Sequence, residues 1–178
     1  MTGTGFAVFE TAIGHCGIAW GERGVVSVCL PEGSATTTRA RLRANFPDAV
    51  ETEPPEAVRW AIAEIVALLR GESRDLLAVP LDLDGVPEFH RRVYEIARTI
   101  PPGKTLTYGE VASRLGMPGS AQAVGRALGR NPFPIVVPCH RVLGADGKMV
   151  GFSAPGGVET KRKMLVIEGA RADEPTLF

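Results

Sequence analysis

Hydrophobic positions change their spacing along this chain of 178 residues. Near the start, "FAVFET" and "CGIAWGERGVVSVCL" are rich in β-branched and aromatic residues, and Gly21-Glu22-Arg23-Gly24 is a turn signal inside the second run. This pattern predicts short β-strands, two of them joined at that turn. "TTTRARLRANF" then fits a short amphipathic helix ending at Pro47. Past the acidic, proline-containing "DAVETEPPEAV", apolar residues in "VRWAIAEIVALLRG" recur at helical spacing, with Gly71 as the stop. "VPLDLDG" alternates apolar and acidic residues, like an edge strand or a linker. A boundary near Gly85 divides an N-terminal α/β domain, residues 1–85, from a C-terminal domain, residues 86–178.

The second half reads as helical. "PEFHRRVYEIARTI" puts Phe89, Val93 and Ile96–Ala97 on one face and stops before Pro101-Pro102-Gly103. "TYGEVASRLG" opens with Thr107 and has Glu110 three residues later, a capping box in which each side chain satisfies the other residue's free backbone N–H. Gly116-Met117-Pro118-Gly119 makes a tight break, after which Ser120 is placed to cap a new helix, "AQAVGRALG". Helix, short turn and helix fit a helix-turn-helix. The second helix carries small residues at Ala121, Ala123, Val124, Gly125 and Ala127, although an interior glycine costs about 1 kcal/mol relative to alanine. Periodicity alone favours tight helix packing as the reason, over a nucleic-acid groove pressed against the helix.

Composition narrows the class. A hydrophobic content of 44% is enough to bury a core, as one domain or two small ones. "MTGTGFAVFETAIG" lacks the basic and apolar regions of a secretory signal. "WAIAEIVALL" is interrupted by Glu64 and too short to span a bilayer. Cysteines at 16, 29 and 139 show neither CxxC nor paired metal spacing, which fits a reduced, soluble, cytoplasmic protein. The net charge of zero hides an asymmetry. Residues 1–85 carry 7 Lys and Arg against 12 Asp and Glu, a net −5, while residues 86–178 carry 13 against 8, a net +5. A basic second half favours a polyanion there, although ordinary solvated surface charge gives the same count.

The chemistry concentrates in "NPFPIVVPCHRVLG", where the β-formers Ile135-Val136-Val137 stop at Pro138, immediately before Cys139 and His140. A free cysteine has a pKa of about 8.5, and its thiolate is the nucleophile, so activation needs a base, a cation or a helix N-terminus. Neighbours on an extended chain point in opposite directions, so a bridging water would have to connect His140 to Cys139. A carboxylate would then orient the imidazole. Glu168, in "VIEGA", is one candidate among many, and Arg141 is placed to hold the turn by bonding carbonyls. For an isolated Cys-His pair, a buried structural cysteine is the commoner outcome.

"PCHRV" is preceded by "GRNPFPIVV" and followed by "GFSAPGG" and "KRKMLVIEGA". These blocks closely resemble the O6-alkylguanine-DNA alkyltransferases, the methylated-DNA–protein-cysteine methyltransferases. The resemblance runs from "FHRRVYEIARTIPPGKTLTYGEVA" to "EGA", several blocks agreeing in order and spacing, while the first half is only compatible with the family's variable N-terminal domain. It implies an α+β fold. Residues 1–85 would form a small antiparallel sheet with helices, ribonuclease H-like, and residues 86–178 a helical, winged helix-turn-helix-like domain.

The resemblance also assigns roles. Cys139 would take the alkyl group from O6 of guanine, with O4 of thymine a further candidate, in an irreversible single-turnover displacement without cofactor or metal. Glu168 would orient His140, which would deprotonate Cys139 through a water. Asn131 would hold the turn between recognition helix and active-site loop, and the Tyr108 hydroxyl would donate to N3 of the flipped guanine. The Ser153 region and the backbone carbonyls around Cys139 and Val142 would read the base edge, and Phe152 and Met117 are candidate apolar pocket or packing residues, with the core the stronger expectation for Met117. Ala121, Gln122, Ala123, Gly125 and Arg126 would form the DNA face. An alkylated O6 is inaccessible in a stacked duplex, so the nucleotide must be rotated out. Small residues suit a helix that enters the minor groove of alkylated double-stranded DNA.

Other readings stay open on the residues alone. A non-catalytic sensor of alkylated DNA requires an inert thiol. A plain helix-turn-helix regulator explains the basic half but not "PCHRV" or Glu168, and a cysteine hydrolase would need an oxyanion hole. His15, Cys16, Cys29 and His90 invite a structural zinc, but adjacent His15-Cys16 is poor chelate spacing, and core or surface placement is the stronger expectation. The tail "DEPTLF" resembles peptides that dock on sliding clamps, with folding back on its own domain the stronger expectation.

One departure from the family pattern stands out. Gln122 occupies the position where the family usually has an arginine that replaces the flipped base in the stack. Glutamine fills space and hydrogen-bonds the orphaned cytosine, but it lacks the cation and the stacking guanidinium plane. A Gln122→Arg variant is therefore expected to bind duplex more tightly or repair it faster. Single-turnover rates on methylated duplex test this, and equal rates for the two proteins would sink it.

Overall fold

The computed structural model describes residues 4–149 and 157–170. Three strands, β1 (Gly5–Thr11), β2 (Gly14–Gly21) and β3 (Gly24–Cys29), form an antiparallel meander with its turns at Thr11↔Gly14 and Gly21↔Gly24. Alternation sends neighbouring side chains to opposite faces. Cys16, Ile18 and Trp20 enter the main core, while Phe6, Ala19, Val26 and Cys29 meet Leu42 on the other face. That Leu42 belongs to α1 (Ala35–Asn45), capped by the Ser34 side chain. Gly17 is required here, because a Cβ at this position would lie 2.6 Å from the Leu42 methyl.

A fourth strand, β4 (Val50–Glu51), joins in parallel beside β1, giving the order β3-β2-β1-β4 and a mixed sheet. Its two residues are exposed and lie in the acidic stretch, so no apolar pattern announced it. Arg39 of α1 donates to both Glu51 carboxylate oxygens, at 2.8 and 2.9 Å. The helix α2 (Glu56–Leu69) buries Val58, Ala61, Ile65, Leu68 and Leu69, and Gly71 stops the chain in a left-handed conformation. "VPLDLDG" forms a single parallel bridge to β3, in which Val25 donates to Pro80 and accepts from Asp82.

In the second half, α3 (Glu88–Arg98) buries Val93, Tyr94 and Ala97. A parallel pair of two-residue strands, β5 (Leu106–Thr107) and β6 (Val142–Leu143), brackets α4 (Tyr108–Arg114) and α5 (Ala121–Gly129). The last helix is α6 (Gly157–Ile167). The capping box forms at α4, with Thr107 Oγ1 accepting from Glu110 N at 3.0 Å and Glu110 Oε1 accepting from Thr107 N at 2.8 Å. Ser120 stands at the N-cap of α5, but its hydroxyl donates to the Met117 carbonyl at 2.6 Å instead of capping the helix. Met117 is not in the core. It is 41% exposed, because the turn that carries it closes through backbone bonds and leaves the side chain outward.

The main apolar cluster runs across Gly85, joining Ile65 and Leu68 of α2 with Val93 and Ala97 of α3 and Met164 of α6. Among the described residues, no helix is long and apolar enough to cross a membrane. Arg98 ties the two halves together. Its Nη2 donates to the carbonyls of Leu76 at 2.9 Å, Leu77 at 3.2 Å and Val79 at 3.4 Å, around a left-handed Leu76 at φ 57°. Replacing Arg98 with methionine keeps the stem but strands those carbonyls, and is expected to cost about 2 kcal/mol in urea unfolding. An unchanged midpoint would show that these bonds carry no net stability.

Candidate active site

The segment 131–138 is a tight turn, not a strand. Asn131 spans it: Oδ1 accepts from Phe133 N at 2.8 Å and Nδ2 donates to Val137 O at 2.9 Å. Val137 N reaches Phe133 O at 2.8 Å, and Cys139 N reaches Val137 O at 2.7 Å. Ile135 is forced to φ 78° while 1% exposed. For a β-branched residue this costs on the order of 1–3 kcal/mol, which the surrounding bonds and burial must offset. Cys139–Arg141 then form one turn of 3-10 helix, with Val142 N donating to Cys139 O. Side chains there are rotated by roughly 120° per residue, so Cys139 and His140 are not opposed as on an extended strand.

Glu168 is the carboxylate that meets His140. The two are 2.9 Å apart between His140 Nε2 and Glu168 Oε2, and both side chains are 1% exposed. Arg141 holds the same carboxylate with two bonds, Nε to Oε1 and Nη2 to Oε2, each 2.8 Å, and its Nη1 donates to Ile100 O at 2.7 Å. Burial pushes the Glu168 pKa up, but the bonds and charges of Arg141 and His140 outweigh it and bring it down to about 2. Burial lowers the His140 pKa, and the bond to Glu168 only partly opposes it, so the ring is neutral near pH 7. An ionised carboxylate only accepts, so Nε2 carries the proton. The basic nitrogen is Nδ1, which is buried and has no hydrogen-bond partner among the described residues.

Cys139 is buried, 8% exposed as a residue. Burial raises its pKa, opposed by a hydrogen bond from Asn131 and the charge of Lys161, so the resting group is a thiol. Lys161 is a candidate site residue that the sequence reading missed. It is fully buried on α6, and Nζ donates to Val142 O at 2.8 Å and lies 6.0 Å from the Tyr108 ring centroid. Burial brings its pKa down to about 8, with Cys139 opposing. A signal for it existed: Lys161, Met164, Leu165 and Glu168 share one helical face, and a lysine within that apolar stripe is out of place. Val142 is buried, and its carbonyl has a second lone pair beyond the Lys161 bond.

Tyr108 opens α4 and lines a groove of about 420 Å³ with Ala121, Gln122, Gly125 and Arg126 of α5. Burial raises its pKa, with Cys139 adding to the rise. Gln122 and Arg126 are exposed; Ala123 is half-buried and outside the groove lining. Packing does not explain Gly125, since a Cβ there would meet nothing within 4 Å. Phe152 and Ser153 lie outside the described residues, as does the tail "DEPTLF". Cys16 and Cys29 are buried in different apolar clusters, and among the described residues no three His, Cys, Asp or Glu side chains gather as metal ligands.

Fold and site together define an α+β protein in which a helix-turn-helix, α4 to α5, is followed in the chain by a buried thiol and a histidine held by a carboxylate. The chain belongs to the methylated-DNA–protein-cysteine methyltransferase family. The family description 6-O-methylguanine DNA methyltransferase, DNA binding domain, matches residues 88–170. The methylated-DNA–protein-cysteine methyltransferase of Methanothermobacter thermautotrophicus is 39% identical over 153 residues, 86% of this chain and 78% of that one. Its namesake from Methanosarcina acetivorans is 37% identical over 166 residues, 93% and 98% of the two chains. The structure of Mycobacterium tuberculosis OGT in complex with DNA is similar over 95% of each chain, with a TM-score of 0.73 and 34% identity.

The depressed Glu168 pKa links stability to pH. The contribution is complete above the unfolded value of about 4.3, and it disappears as pH falls toward about 2. It amounts to about 3 kcal/mol, reduced by whatever solvent reaches the pair. His140, kept neutral by burial, adds a loss that begins below its unfolded pKa of about 6.5. Glu168→Gln is expected to flatten the stability profile between pH 5 and 2, measured by urea unfolding. Profiles of equal slope would mean that the carboxylate is not held as described.

Proposed function

We propose that this protein repairs O6-alkylated guanine in double-stranded DNA by moving the alkyl group irreversibly to Cys139, one group per molecule. The neutral His140 carries the reading. Glu168 keeps Nε2 protonated, so Nδ1 is left as a base beside a buried, protonated thiol. Sγ attacks the alkyl carbon, an S–C bond forms, and the C–O6 bond breaks with its electron pair on the purine. The thiol proton passes through a water to His140 Nδ1. Tyr108 donates its hydroxyl proton to N3 of the departing purine anion and recovers one from the relay, so guanine leaves neutral. Lys161 stabilises the negative charge as it forms on sulfur.

Asn131 holds the loop, the Val142 carbonyl with the Ser153 region reads the base edge, and Phe152 lines the pocket. Ala121, Gln122, Ala123, Gly125 and Arg126 form the face that enters the minor groove, and the open space over Gly125 supports close approach of a backbone. Residues 1–85 and 86–178 act as two domains of one protein, cytoplasmic and with free cysteines. Weak contact with a sliding clamp is assigned to the C-terminal tail. The reaction needs neither cofactor nor metal.

Mass spectrometry after incubation with O6-methylguanine duplex tests the proposal. One added methyl on Cys139 is expected, in stoichiometric yield and absent from Cys139→Ser. Unmodified protein with unchanged DNA would make it a lesion sensor, and repeated turnover would make it a different enzyme.

A further inference from the structure

We infer that Met117 is a second point of entry into the duplex, an apolar wedge that enters the minor groove beside the extruded nucleotide and props a neighbouring base step. The inference rests on the repair reading above and adds a residue to it. Met117 lies in the turn between α4 and α5, where residues 116–119 are all exposed. Its backbone is fixed: N donates to Ala112 O at 3.0 Å, and its carbonyl accepts from Ser120 N at 3.1 Å and Ser120 Oγ at 2.6 Å. That closed turn keeps its Cα within about 7 Å of Ser120, the residue that starts α5. The side chain is therefore presented outward by a rigid turn at the end of the helix that faces DNA. Of the large apolar side chains exposed among the described residues, Val50, Trp60, Leu77, Met117 and Val158, it alone lies in the helix-turn-helix.

Extruding a nucleotide opens a gap in the stack, and on the exposed face of α5 only Gln122 is placed to fill part of it. Ala121 and Gly125 are small, Arg126 is a cation suited to phosphate, and Gln122 has no apolar plane. An unbranched thioether adapts to an irregular gap and is attracted to aromatic faces. Apolar side chains of this size unstack base steps in other minor-groove binders. Exposed Arg114 and Arg126 flank the turn with positive charge for the phosphates on either side.

The test compares wild type with Met117→Ala and Met117→Leu on two methyl or benzyl donors: O6-methylguanine in a matched duplex, and O6-benzylguanine as a free base. Met117→Ala is expected to slow transfer from duplex by about tenfold while changing the free-base rate less than about twofold, and Met117→Leu to restore most of the duplex rate. Duplex transfer by Met117→Ala at the wild-type rate would overturn the inference. So would an equal loss on both donors, which marks a structural role. Wild-type protein that alkylates Cys139 from neither donor would instead overturn the repair reading itself.

Discussion

A single carboxylate at the C-terminal end of α6 fixes most of the site. The Glu168 side chain is 1% exposed, at a helix end where the backbone dipole disfavours negative charge. Three side-chain N–H groups hold it there, two from Arg141 and one from His140. Taking away any of them leaves a buried charge short of partners, a penalty of several kcal/mol. The histidine tautomer, the ring orientation and the position of α6 are thus one constraint. Because Arg141 also holds Ile100 O, the loop after α3 is tied to the same carboxylate.

Burial and reactivity pull in opposite directions at Cys139. A dry thiol is a poor nucleophile, and desolvation holds its pKa up. It is also protected from adventitious reaction, which suits the single use proposed for it. In the proposed mechanism the surrounding groups supply charge only where the reaction develops it: Lys161 for the thiolate, Nδ1 for the proton, Tyr108 for the purine. Preorganisation of this kind requires a stiff loop, and the left-handed Ile135 shows the strain stored in that stiffness.

The strands, the helices and the capping box were legible because burial periodicity and turn residues write them directly into sequence. The short β4 was not, since two exposed residues pair through backbone alone. Ile135-Val136-Val137 have β propensity, yet Asn131 and the flanking prolines impose a turn, so local bonds override the intrinsic preference. Cys139 and His140 stood out as a nucleophile next to an imidazole, whereas the choice of Glu168 among many carboxylates, and the substrate, came from motif resemblance. Met117 and Lys161 invert the usual rule in opposite directions: the apolar side chain, expected inside, is exposed, and the basic one, on which no expectation was placed, is buried.

The acidic first half has a physical role that its charge obscures. A unit of net −5 is repelled by phosphate, so it contributes little to DNA affinity. It does stand directly behind the relay. Leu68, Gly71, Glu72 and Ser73 line a cavity of about 140 Å³ with Pro102 and Glu168. A Cβ on Gly103 would lie 3.3 Å from the Glu168 carbonyl, so the loop after α3 closes on the same residue. Were that wall absent, water would solvate the carboxylate, screen Arg141 and weaken the preference that keeps His140 in one tautomer. The first half therefore bears on the site by excluding solvent from the far side of Glu168.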